Sequence, residues 1–145
     1  MGIIETIKDS WGWAGIEPFE IVGENDFGNL IIKDLDGKYW RLCPEDIYCT
    51  VIANSREELD QMSSEQEFLA DWYMQELVDQ AIEKLGRLEE GRKFFLITPG
   101  PLGGEYAAPN IQSAPLEEVV RLSGDIGKQI NDLPEGAQVK FEVTE

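Results

Sequence analysis

The chain has 145 residues, with 12 Lys and Arg against 29 Asp and Glu, a formal net charge of −17, two cysteines and no histidine. A chain of this length buries roughly 68–70% of its unfolded surface, and with 42% apolar and 10% aromatic residues it has the material for one folded domain, spanning 1–145, without disulfides or metals. The missing histidine removes the commonest general base, the Ser-His and Cys-His pairs and the most frequent zinc ligand. The charge argues against nucleic acid and anionic membranes as partners, since both depend on Lys and Arg neutralising phosphate, and favours a basic protein.

In chain order, Ile3, Ile4, Ile7 and Trp11 fall at helical spacing and predict a short amphipathic helix over 3–12, stopped by Gly12 and Gly15. No signal-peptide pattern occupies Met1 to Gly15, and the Met1–Thr6 match to a myristoylation site has no polybasic neighbour beside it. From Ile16 the pattern becomes extended. Phe19–Val22, Leu30–Lys33, Tyr39–Leu42 and Tyr48–Ile52 read as a β-meander, with turns at Asn25–Asn29 and at Asp36-Gly37, a pair suited to the positive φ of hairpin turns. Cys43 and Cys49, on either side of Pro44, match neither a redox CxxC nor a zinc knuckle and read as free thiols of a cytosolic protein.

After Asn54 the period turns helical. Ser55 with Glu58, and Ser64 with Glu67, both form S-x-x-E capping boxes, predicting two helix starts. The second helix is expected to be long, over about 65–85, because Leu69, Tyr73, Leu77, Ala81 and Leu85 recur every four residues up to Gly86. Arg92–Thr98 predicts a strand, Pro99–Gly104 a tight connection, Leu116–Ile130 an amphipathic helix opened by Pro115, and Val139–Val143 a last strand. Strands grouped first and helices after them predict an α+β fold: a mainly antiparallel sheet of about five to six strands, covered by helices on one side, with one long core helix near 65–85.

No motif survives as a catalytic, cofactor or metal site. Pro99–Gly104 lacks the lysine and the following helix start of a phosphate loop. Asp34-Leu35-Asp36 lacks the ligand series of a calcium loop and reads as turn chemistry. Glu45-Asp46 after Pro44 reads as a turn, with Arg41 four residues earlier as a possible ion-pair partner. Charge is the stronger signal. Residues 55–90 carry 11 acids and 3 bases, and Glu57, Glu58, Asp60, Glu65, Glu67 and Asp71 should flank the apolar stripes and project outward. The bland interpretation is a solvated face; the functional one is a docking surface on which charge steers a basic partner. Trp11 and Trp13 offer a second candidate, an exposed aromatic anchor, set against ordinary packing on the sheet.

Three segments carry a family resemblance: Phe27 to Asp46 (FGNLIIKDLDGKYWRLCPED), Pro99 to Tyr106 (PGPLGGEY) with Asn110-Ile111, and Ser123 to Pro134 (SGDIGKQINDLP). Together they resemble the C-terminal domain of type VI secretion immunity proteins, often found behind a GAD-like domain, over about Ile16 to Val143. The resemblance implies a bacterial cytoplasmic protein that is not an enzyme and needs no cofactor. Its partner would be a cognate effector with a basic cleft, either a nuclease or a nucleotide-targeting enzyme such as an ATP-consuming pyrophosphokinase, neutralised by occlusion of the active site. A secretion adaptor or chaperone is the alternative, and a small carboxylate-based enzyme or ligand-binding domain a third. The shared motifs, rich in Gly, Pro and aromatics, are expected to be scaffold.

Overall fold

The computed structural model describes residues 2–132; the strand expected at Val139–Val143 lies outside them. Helix α1 (Ile3–Trp11) runs through a short 3-10 turn into β1 (Pro18–Glu24), β2 (Leu30–Asp34), β3 (Tyr39–Cys43) and β4 (Tyr48–Ala53). These four strands form an antiparallel sheet in sequence order, as the extended segments and the Asp36-Gly37 turn predict. Asp34 fastens that turn: its carboxylate accepts from the N–H groups of Asp36 and Lys38 and from the Trp40 indole. Burial pushes the Asp34 carboxyl up, but these donors outweigh it and hold it below its usual value.

Pleating sends alternate residues of each strand to opposite sides. On one side Leu30, Ile32, Leu42 and Cys49 pack with Ile7 and Trp11 of α1 and Val120 of α5 (Leu116–Asn131). Close approach of the two helices depends on Gly124, where an added Cβ would stand 2.4 Å from the Ser10 carbonyl oxygen. On the other side Ile31, Tyr39 and Ala53 pack under Leu59 of α2 (Arg56–Ser63) and Trp72 of α3 (Gln66–Tyr73). The sheet is thus covered on both faces, not on one. A second core joins Phe27 to Leu77, Val78 and Ala81 of α4 (Gln75–Leu85) and to Phe94, Leu96 and Ile111. These last three belong to a separate two-stranded antiparallel sheet, β5 (Arg92–Leu96) and β6 (Ile111–Pro115). The architecture is α+β, with β6 a strand that the sequence pattern did not reveal.

The long helix expected over 65–85 is two helices. The chain breaks at Met74, which takes a left-handed conformation (φ 49°) between α3 and α4. Two cores pull on this segment: Trp72 must reach the sheet, while Leu77, Val78 and Ala81 must reach Phe27 and Phe94. One straight helix aims a single stripe in one direction, so the turn at Met74 re-aims it. Asn25 secures the break by donating to the Trp72 carbonyl at 2.8 Å. Of the two expected capping boxes, the first forms: Ser55 Oγ accepts from Glu58 N–H at 3.2 Å, and Glu58 accepts from Asn54 N–H. The second does not, because Ser64 ends α2 with its hydroxyl donating to the Gln61 carbonyl.

Candidate functional site

The β3–β4 connection, Pro44 to Ile47, is a turn closed by the Ile47 N–H on the Pro44 carbonyl. Beside it lies a buried polar cluster. Arg41 points to the α3 side of the sheet, opposite Ile31 in β2 and Thr50 in β4. Its Nε donates to Asn29 Oδ1 at 3.1 Å, its Nη1 pairs with Asp71 of α3 at 2.5 Å, and its guanidinium carbon stands 5.3 Å from the centre of the Trp72 ring. Charge-assisted pairing and the aromatic face compensate a buried cation for lost water. Arg41 was expected to meet Glu45 or Asp46; its carboxylate partner is instead Asp71, a residue thirty positions away.

Glu45 is buried rather than a plain turn residue. Its two oxygens accept from Asn29 Nδ2 at 2.5 and 2.8 Å, and Oε1 also accepts from the Cys43 thiol at 2.8 Å. Burial pushes the Glu45 carboxyl up and outweighs these donors. Burial and the Glu45 charge together push the Cys43 thiol far up, and burial alone pushes Cys49 to about 12. Both thiols are therefore held in the protonated form at neutral pH. Asp46 sits at the mouth, where the Tyr106 hydroxyl donates to it. Burial pushes Asp46 up and the negative charge of Asp71 adds to the effect.

Around this cluster opens a groove of about 720 Å3, bounded by the β3–β4 turn, the α3–α4 junction and Tyr106. Tyr106 is delivered by the 99–106 connection, which is tight as expected: Gly104 has no room for a Cβ, which would lie 1.7 Å from the Thr98 carbonyl oxygen. The Gly100 N–H donates to the Glu45 carbonyl, binding this connection to the β3–β4 turn. The first two resembling segments, distant in sequence, therefore meet at the groove. Most of their residues support the fold, yet Arg41, Asp46 and Tyr106 also line the opening. Among the described residues no group of His, Cys, Asp or Glu is arranged to hold a metal ion, and no helix is long and apolar enough to cross a membrane.

The predicted acidic residues are all exposed. Glu57, Glu58 and Asp60 lie on α2, Glu65 immediately precedes α3, and Glu67 and Asp71 lie on it. Glu58 caps α2, Asp60 pairs with Arg56, and Asp71 reaches back to Arg41. The exposure expected of the tryptophan pair is not found at Trp11. Trp11 is fully buried, donating its indole N–H to the Val120 carbonyl, and Trp13 is half-buried, stacked on Trp11. Both complete the core between α1 and the sheet, because the apolar stripe of α1 ends on Trp11. What the sequence reading missed is the groove itself. Its signal was Asn29, a polar residue at the head of an apolar strand, which needs a buried partner.

The fold is α+β, with exposed carboxylates along α2 and α3 and an open groove beside them. In fold, the chain is similar to a protein described as "Crystal structure of Atu4351 from Agrobacterium tumefaciens", with a TM-score of 0.55 and 15% identity. The match covers 84% of this chain and 64% of that one, so the chain spans less than two thirds of its neighbour's length. No curated protein matches the chain in sequence. The family described as "T6SS immunity protein Tdi1, C-terminal" matches residues 53–127, just over half of the chain. The chain belongs to that family of type VI secretion immunity proteins. The matched region runs from the end of β4 to α5, a narrower span than the resemblance from Ile16 to Val143, and it contains all six predicted carboxylates.

Proposed function

We propose that this protein neutralises its cognate effector in the cytoplasm by seating the acidic surface of α2 and α3 over a basic, phosphate-handling active site. The observation that carries this reading is the exposure of Glu57, Glu58, Asp60, Glu65, Glu67 and Asp71 on two consecutive helices whose apolar sides close on the sheet. An enzyme that handles DNA or nucleotides presents cations to phosphate, so clustered carboxylates complement it, speeding encounter and selecting the partner. Occlusion is steric and electrostatic and asks no chemistry of the inhibitor. The effector is a nuclease or a nucleotide-targeting enzyme such as an ATP-consuming pyrophosphokinase; nucleic acid and membrane are not direct partners.

The test is charge reversal of Glu57, Glu58, Glu65 and Glu67 to Lys, with co-expression of the cognate type VI effector. The four side chains are exposed, so the fold should persist by circular dichroism while growth protection and complex formation are lost. Protection at the wild-type level by the folded quadruple variant would exclude this surface.

A further inference from the structure

The groove beside the proposed docking face has a finished floor and an unfinished rim. Its floor is satisfied internally by the Arg41, Asn29 and Glu45 network. On its rim stand Tyr73, 61% exposed, and Tyr106, 45% exposed, whereas the chain's other two tyrosines are buried or half-buried. Two aromatic rings left in water at one opening bring the fold little burial energy, and tyrosine is a residue that protein interfaces concentrate. The charge of the groove is also unbalanced. Glu45, Asp46, Asp71 and Glu76 line it against Arg41 as the sole cation. Arg41 pairs with Asp71, and among the described residues no cation pairs with Asp46 or Glu76.

Resting on the immunity reading above, we infer that this groove receives an arginine side chain from a protruding loop of the effector, paired to Asp46 and Glu76 and packed on Tyr73 and Tyr106. Arg41 already displays the chemistry on the inner side of the same cleft: a carboxylate, an amide oxygen and an aromatic face around one guanidinium. An incoming arginine meets the same kinds of group, carboxylates and aromatic rings, at the mouth. Its planar fork can engage a carboxylate with two parallel bonds and stack on a ring, which the point charge of lysine cannot do as well. A phosphate-bearing ligand is repelled by the same carboxylates. Burial pushes Asp46 up and the negative charge of Asp71 adds to it; a second guanidinium would offset that added charge. An effector that binds phosphate through arginine would thus lend one of its own cations to its inhibitor.

The experiment has two arms. In the first, the full chain is titrated with the peptide Ac-Gly-Arg-Gly-Arg-Gly-amide and with its citrulline counterpart while backbone amide shifts are followed. Shifts confined to Asp46, the Leu69–Leu77 segment and Tyr106, present for arginine and absent for citrulline, support the proposal. Equal shifts with both peptides, or shifts centred on α2, overturn it. In the second, binding to the cognate type VI effector is measured for Tyr73→Ala and Glu76→Gln, both exposed positions where the fold is not at stake. About tenfold weaker binding by each supports the groove. Unchanged affinity with full protection overturns the groove and leaves the immunity reading standing. A wild-type chain that does not bind the toxin overturns that reading, and the peptide arm then decides the groove by itself.

Discussion

The two faces of the four-stranded sheet are built from alternate residues of the same strands, yet they do different work. The face toward α1 and α5 is dry: Ile7, Trp11, Leu30, Ile32, Leu42 and Val120 are all fully buried. The face toward α2 and α3 mixes Ile31, Tyr39 and Trp72 with the Arg41 cluster and opens into the groove. Apolar packing resists change because interiors are close-packed. A polar network defines a surface, because each member fixes its neighbours' orientation. Stability should therefore be concentrated on the first face and recognition on the second, and substitutions should separate them.

The largest effect is expected from Trp11→Ala. It removes a fully buried ring and the donor to the Val120 carbonyl, and should cost about 3–5 kcal/mol in denaturant unfolding with effector affinity unchanged in the molecules that remain folded. Gly124→Ala follows on the same face. The new methyl meets the Ser10 backbone, so α1 and α5 must separate, at about 1–3 kcal/mol. Loss of effector binding by either variant at wild-type folded concentration would break the division between the faces.

On the groove face, pH sharpens the comparison. The Glu45 carboxyl is raised in the folded protein, so the native state holds its proton where the unfolded chain has released it. Stability should then fall as pH rises from the ordinary carboxylate range through the raised value of Glu45. Glu45→Gln should flatten that part of the curve. Asp34 has the opposite sign: its lowered carboxyl contributes stability above the ordinary carboxylate value that is lost as pH falls through the lowered one. Asp34→Asn should remove stability at neutral pH and little in strong acid. Thermal unfolding of the three proteins across pH 3–8 checks both slopes, and a Glu45→Gln curve parallel to wild type would refute the assignment.

The same division explains what could be read in advance. The β-meander was legible because short extended apolar segments and the Asp36-Gly37 turn are local signals, and the α1 and α5 stripes because each serves one core. The break at Met74 was not, since Leu69, Tyr73, Leu77, Ala81 and Leu85 keep a four-residue rhythm straight through it, and only the position of the second core makes the turn necessary. Strand β6, Ile111–Pro115, carries Gln, Ser, Ala and Pro, poor strand formers, and is held by its pairing with β5. The groove joins residues from β3, α3, α4 and the 99–106 connection, and no spacing along the chain encodes that meeting. The acidic positions were legible because exposure follows directly from helical period, whereas the aromatic anchor at Trp11 failed because a tryptophan on an apolar stripe belongs to the core.

The smallest effect on stability is the most direct probe of steering. Arg56 and Asp60 form an exposed i,i+4 pair at 2.9 Å, and a pair this open to solvent adds little to stability. Arg56→Ala should hardly move the unfolding midpoint. Arg56 is, however, the sole cation on α2 and α3, standing among the carboxylates proposed to attract the effector. Its removal frees Asp60 and makes the face more negative, so association with a basic cleft should become faster at low ionic strength, while dissociation stays nearly constant. The gain should shrink as salt shortens the screening length from about 10 Å at 0.1 M toward about 3 Å at 1 M. A slower or salt-independent association would mean that Arg56 itself touches the partner, and that charge on this face acts through contact and not through the field.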